Sequence, residues 1–152
     1  MESQRNKFQD EIGTIEYGVE YLADTQKLIV NILRVFDLEF SDEILMDTFC
    51  KCTLMPDKIS FNTKVIKRNK NPIFEEKFEY ENLELSKMDS RYLLISLFQM
   101  DKLKEDCLGA TILKLNYTSI ESNQIFIKDL KASLKSTEVY HMTFCKFLNL
   151  YF

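Results

Sequence analysis

Glycine, proline and histidine are scarce in this chain. There are three glycines, two prolines and one histidine in 152 residues. The glycines form no phosphate-cradling loop. The histidine, His141, lies near the C-terminus, and no serine or cysteine stands in a recognisable nucleophile setting. No apolar run reaches the ~18 residues that a membrane-spanning helix needs. The N-terminal stretch MESQRNKFQDEIG is polar and lacks the apolar middle of a secretory signal. A cytosolic chain without catalytic activity is expected.

Cysteine is present but poorly arranged for chemistry. Cys50 and Cys52 lie two apart, which on a strand puts both on one face, a poor geometry for a disulfide. Cys107 and Cys145 show no ligand spacing, and zinc would need a second ligand pair. Reduced core thiols are expected, with zinc or a disulfide as the alternative.

The formal net charge is -4, which argues against general affinity for nucleic acid. The charge is uneven. Lys58, Lys64, Lys67, Arg68 and Lys70 form a basic run with no acid inside it. Acids gather at Glu39, Asp42, Glu43 and Asp47, and again at Asp101, Glu105 and Asp106.

Period-two alternation dominates the pattern. Ile15, Tyr17, Val19 and Tyr21 give one half-buried strand, and Leu28, Val30 and Ile32, extending toward Arg34, give another. DTFCKCTLMP alternates up to Pro56. SFNTKVIKRN reads as a strand with Lys64 and Arg68 toward one face. KNPIFEEKFEYEN, RYLLISLFQM, CLGATILKL and NQIFIKDL complete the set, and LELSKMDSRY offers a single helical turn. About eight short strands with regular turn signals predict an all-β, antiparallel β-sandwich. Expected boundaries are a flank over 1–11, the domain over 12–134 and a tail over 135–152.

Several of these stretches, in this order, resemble C2 domains of synaptotagmin type. Asp47-Thr48-Phe49-Cys50-Lys51-Cys52 matches the family's Asp-Pro-Tyr-Val-Lys-Val strand, and Leu54-Met55-Pro56-Asp57 its turn. Thr63-Lys64-Val65 and Asn71-Pro72-Ile73-Phe74-Glu75-Glu76-Lys77-Phe78 match its later motifs. The resemblance covers residues 12 to 131 and is closest to the atypical, calcium-poor synaptotagmins. It implies an eight-stranded Greek-key sandwich whose loops at one end form a calcium and membrane site. It also implies a basic strand that binds anionic lipid or protein.

Carried over residue by residue, the calcium positions are Asp42, Asp47, Asp101 and Asp106, with Gln99 at a fifth position. Calcium wants six to eight oxygens, mostly carboxylate, and Gln99 supplies an amide where the family has a shared carboxylate. The first loop lacks the family's glycines, and Thr48 replaces its proline. No cofactor is expected as certain, and calcium is expected to be weak or absent. One weak ion held by Asp47, Asp101 and Asp106 is the form it would take. Solvated acidic turns are the plainer alternative.

Lys64, Lys67, Arg68 and Lys70 are the expected contacts to anionic phospholipid or a protein partner; a solvated edge is the alternative. Ile44 and Leu45 are expected to insert into the bilayer interface, unless the first loop folds them into the core. The resemblance therefore implies a peripheral membrane module in vesicle trafficking or exocytosis. Its partners would be anionic membranes and trafficking proteins such as SNAREs or another C2 domain, with no nucleic acid. A calcium-dependent phospholipid sensor and a pure protein-interaction domain are the alternatives.

Overall fold

The computed structural model describes residues 10–39, 45–116 and 120–134. Within them the chain forms eight strands: β1 (Glu11–Leu22), β2 (Lys27–Phe36), β3 (Asp47–Met55), β4 (Ile59–Asn62), β5 (Ile73–Tyr80), β6 (Tyr92–Asp101), β7 (Lys104–Lys114) and β8 (Gln124–Lys131). The expected helical turn is a 3-10 helix, Leu85–Ser90, which buries Met88.

All strand pairs are antiparallel, in the order β4-β3-β6-β7-β8-β1-β2-β5. β7 and β8 meet at a single pair, Ala110 with Lys131. That thin seam divides the molecule into two four-stranded halves packed face to face. At the far side the outermost strands come together. Phe61 of β4 stacks on Phe78 of β5 at 5.2 Å and meets Tyr80 edge-on at 5.1 Å. Tyr80 also donates its hydroxyl to the Cys52 carbonyl at 2.8 Å. The result is a nearly closed antiparallel sandwich, as the alternation predicted.

The alternation fixes which face is buried. Ile15, Tyr17, Val19 and Tyr21 of β1 face Leu28, Val30 and Ile32 of β2 within one core, together with Cys50, Cys52 and Leu54 of β3 and Leu93, Ile95 and Leu97 of β6. Each such burial contributes about 1.5–3 kcal/mol. Gly109 lets β7 approach closely at the seam, since a Cβ there would lie 2.7 Å from Ile12 Cδ1.

Two expectations need correction. β2 does not carry its alternation through to Arg34. The register shifts after Glu16 pairs with Arg34 and Tyr17 with Ile32, leaving Leu33 as a bulge residue. Arg34 therefore points outward to Glu16 at 2.7 Å, while Val35 is buried.

The strand expected over residues 60–69 stops at Asn62. Beyond it the ladder is broken, with main-chain bonds to β3 kept at Thr63 and Ile66 and side-chain bonds between them. Thr63 Oγ1 accepts the Cys50 N–H at 2.9 Å. Ile66 keeps one isolated bridge to Thr48. Arg68 has φ 47°, the left-handed region, which no regular strand accommodates.

Candidate functional site

One end of the sandwich gathers the start of β3, the β6–β7 hairpin and the end of the basic segment. Asp47 pairs in register with Met100, next to the hairpin. Asn69 N–H donates to the Met46 carbonyl at 3.3 Å, and Arg68 N–H to Asp47 Oδ1 at 2.9 Å.

The basic segment is held by its backbone. Asp47 takes the N–H of Arg68, and Glu76 Oε2 takes the N–H of Lys64 at 2.8 Å. Asn69 Oδ1 accepts the N–H of Asn71 at 2.8 Å, and Asn71 Oδ1 that of Asp37 at 3.1 Å. These acceptors spend their oxygens on main-chain donors. Lys64, Lys67 and Arg68 are exposed, and none makes an ion pair among the described residues. Lys70 is half-buried. Because the segment is not a regular strand, Lys64 and Arg68 do not share a face through alternation.

The second acidic stretch is a tight hairpin rather than a loop. Asp101 closes β6, and Glu105 and Asp106 already belong to β7. Only Lys102 and Leu103 form the turn, with Lys102 at φ 56°. This leaves Leu103 99% exposed between Lys102 and Lys104, the most exposed large apolar side chain among the described residues. Sequence reasoning passed over it, because the first loop held more apolar residues. The signal was its position, an apolar residue between two lysines where two paired strands reverse.

Strand register sorts the expected calcium positions. Opposed residues in an antiparallel ladder share a face. Thr48 stands opposite Gln99, and Gln99 opposite Asp106. Gln99, Asp101 and Asp106 therefore share the inward face at this end of the sandwich, while Asp47 and Met100 take the other. Asp106 Oδ1 lies 3.8 Å from Lys104 Nζ. Among the described residues, no group of three or more His, Cys, Asp or Glu is placed to hold a metal ion. Asp42 and Ile44 lie outside the described residues, as do His141, Cys145 and the expected tail. Leu45 is 41% exposed just before β3.

Cys50, Cys52 and Cys107 form no disulfide among the described residues. Burial pushes both β3 thiols up, Cys52 to about 12, although the hydrogen bond from Tyr80 works against the shift at Cys52. Neither supplies a thiolate near neutral pH.

A profile of the C2 domain family matches residues 26–130. The chain belongs to the C2 domain family. Similar curated proteins are synaptotagmins. Synaptotagmin-C of Diplobatis ommata is 29% identical over 138 residues, covering 87% of this chain and 26% of that protein. Human Synaptotagmin-7 is 31% identical over 125 residues, covering 80% and 31%. This C2 chain thus spans less than a third of either relative. Among solved structures, a C2 domain of RIM from Drosophila superposes with TM-score 0.73 at 20% identity, covering 80% of this chain and 99% of that one. The first C2 domain of human synaptotagmin XIII gives 0.64 at 18% identity, covering 82% and 90%. Both share the fold. No helix among the described residues is long and apolar enough to cross a membrane.

Proposed function

We propose that this C2 domain is a non-catalytic module that attaches to anionic phospholipid membranes without requiring calcium, in the manner of the calcium-poor synaptotagmins. The observation that carries the reading is the clamped basic segment. Asp47 and Glu76 hold its main chain, so its cations keep their charge for an external anion. Each basic residue near an anionic leaflet contributes about 1 kcal/mol. Leu103 at the hairpin tip adds an apolar wedge, and Leu45, just before β3, is also exposed. Burying a leucine side chain contributes about 1.5–3 kcal/mol. The carboxylates of Asp101, Glu105 and Asp106 oppose this attraction, so the basic segment and the wedge act together. The setting is vesicle trafficking at a cytoplasmic membrane surface, with a SNARE or another C2 domain as protein partner.

The calcium sensor is the second reading, favoured by one observation: Gln99, Asp101 and Asp106 share a face of the hairpin. Co-sedimentation with phosphatidylserine vesicles separates the two. With chelator present, the domain should bind, and Lys64→Ala/Lys67→Ala/Arg68→Ala should lose about 3 kcal/mol, roughly 100-fold in affinity. Leu103→Ser should cost about tenfold. Binding that requires calcium and disappears in Asp101→Asn would establish the sensor instead. Absence of binding with or without calcium would leave a protein-interaction domain.

A further inference from the structure

β6 is buried on both faces. Leu93, Ile95 and Leu97 point into the sandwich core, so Tyr92, Leu94 and Ser96 point outward. These outward side chains are 4%, 8% and 3% exposed, yet Tyr92 and Leu94 stand outside the core cluster. Ala110 of β7 pairs with Ser96, shares its face and is fully buried. The opposite half of the sandwich behaves differently. There Glu16, Glu20, Ile29 and Asn31 point outward from the central strands β1 and β2 and are half-buried, and Ile125 and Ile127 of β8 are more than half exposed. Strand neighbours alone therefore leave an outer face of this fold partly wet. The outer face of β6 has a further cover.

Among the described elements, β6 makes its extensive contacts with β3 and β7, which lie beside it and not over it. The stretches outside the described residues are 1–9, 40–44, 117–119 and 135–152. The links over 40–44 and 117–119 are short and are anchored beyond the two ends of β6, where Asp47 pairs with Met100 and Lys114 with Tyr92. Leu94 and Ser96 occupy the middle of the strand. The two terminal stretches leave from one place, because Asp10 accepts both the N–H and the hydroxyl of Ser133 at 2.7 Å. That place adjoins the buried face: Lys131 pairs with Ala110, and the 3-10 turn Ala132–Leu134 lies against β7. Composition separates the two stretches. MESQRNKFQ is polar, whereas residues 135–152 carry Tyr140, Met142, Phe144, Phe147, Leu148 and Leu150. Even at the ~1.5 Å per residue of a helix, the second stretch spans about 27 Å. β3 lies two strand spacings from β7, about 10 Å.

We propose that residues 135–152 fold back over the outer face of β3, β6 and β7 as an intramolecular strap. Aromatic and aliphatic side chains of the strap then seal Tyr92, Leu94 and Ser96 from water. The strap starts at the Ala110–Ser96 row and crosses toward β3, so one segment accounts for the dry face without a partner protein. Its release would open an apolar row in which Leu94 stands between Thr53 and Ile112.

Thermal melts of the full chain test this, with substitutions placed on either side of the contact. Phe144→Ser/Phe147→Ser/Leu148→Ser should lower Tm by about 5–10 °C, whereas the same changes in an undocked tail would leave it unmoved. Leu94→Lys should also lower Tm in the wild-type chain. In the tail variant, whose face is already open, Leu94→Lys should cost less than half as much. Trypsin should cut after Lys146 at least tenfold faster in the tail variant than in the native wild-type chain. A tail variant that melts with the wild type would overturn the proposal, as would a Leu94→Lys loss of equal size in both backgrounds. Sedimentation velocity should show a monomer. A wild-type dimer that the tail variant dissociates would overturn the intramolecular strap and give the face to the tail of a second copy.

Discussion

Asp47 has two competing roles, and one substitution separates them. The family resemblance makes it a candidate calcium ligand, yet its Oδ1 accepts the Arg68 N–H at 2.9 Å and holds a residue at φ 47°. A left-handed non-glycine residue costs roughly 1–2 kcal/mol. A hydrogen bond to a charged acceptor contributes about 1.5–3 kcal/mol when shielded and nearer 1 kcal/mol at a wet surface. The bond and the strain are therefore of similar size, and Asp47→Ala should let the segment around Arg68 relax. We expect a stability loss of about 1 kcal/mol, seen as a fall of roughly 2–4 °C in Tm. The Arg68 amide should exchange with solvent faster, and chelated liposome binding should weaken about threefold as the cations lose their fixed spacing. Asp47→Asn keeps an oxygen acceptor and should lose about half as much stability. The decisive readout is amide exchange at Arg68. If its protection and the melting curve are unchanged in Asp47→Ala while a calcium-induced gain in binding disappears, the clamp is wrong and Asp47 is an ion ligand.

Two further outcomes follow from the buried and paired groups. The Arg91 guanidinium, bonded to Asp57 at 2.9 and 3.2 Å, holds the Asp57 carboxyl below its usual range. The pair's contribution is thus present above the unfolded value near ~3.9 and is lost as pH falls through the lower folded value. Urea titrations across that range should show this loss, and Arg91→Met should flatten it. Cys50 and Cys52 should resist a thiol reagent at about pH 8 in the folded protein and react when urea unfolds it. Rapid labelling of either in native buffer would refute their placement in the core.

Legibility in the sequence followed the kind of bond that holds each element. β1, β3 and β6 are held by ladders and buried faces, so Ile15 to Tyr21 and Cys50 to Leu54 announced themselves by alternation and RYLLISLFQM as a strong buried strand. The bulge at Leu33 did not, because both faces of β2 are apolar there and one extra residue leaves no compositional mark. The basic segment misled for a different reason. Besides a few main-chain bonds to Cys50 and Thr48, its order comes from Thr63, Asp47 and Glu76 side chains bonding to main chain far away in sequence. Polar residues used in this way resemble polar residues facing water. At the candidate site the residue types were legible, but their grouping was not. The inward face shared by Gln99, Asp101 and Asp106 depends on register, which period-two patterns leave open at a polar strand end.

Among the described residues, seven that are not glycine hold positive φ, while none of the glycines does. Three of the seven are basic: Lys58, Arg68 and Lys102. At each, a glycine would relieve the turn and remove a cation in the same step. Fold stability and surface charge are therefore opposed at these positions. On the proposed function, a version of the domain stabilised by glycine at Arg68 would become a weaker ligand for anions. The two properties cannot be improved together there. Selection for one should be readable as loss of the other.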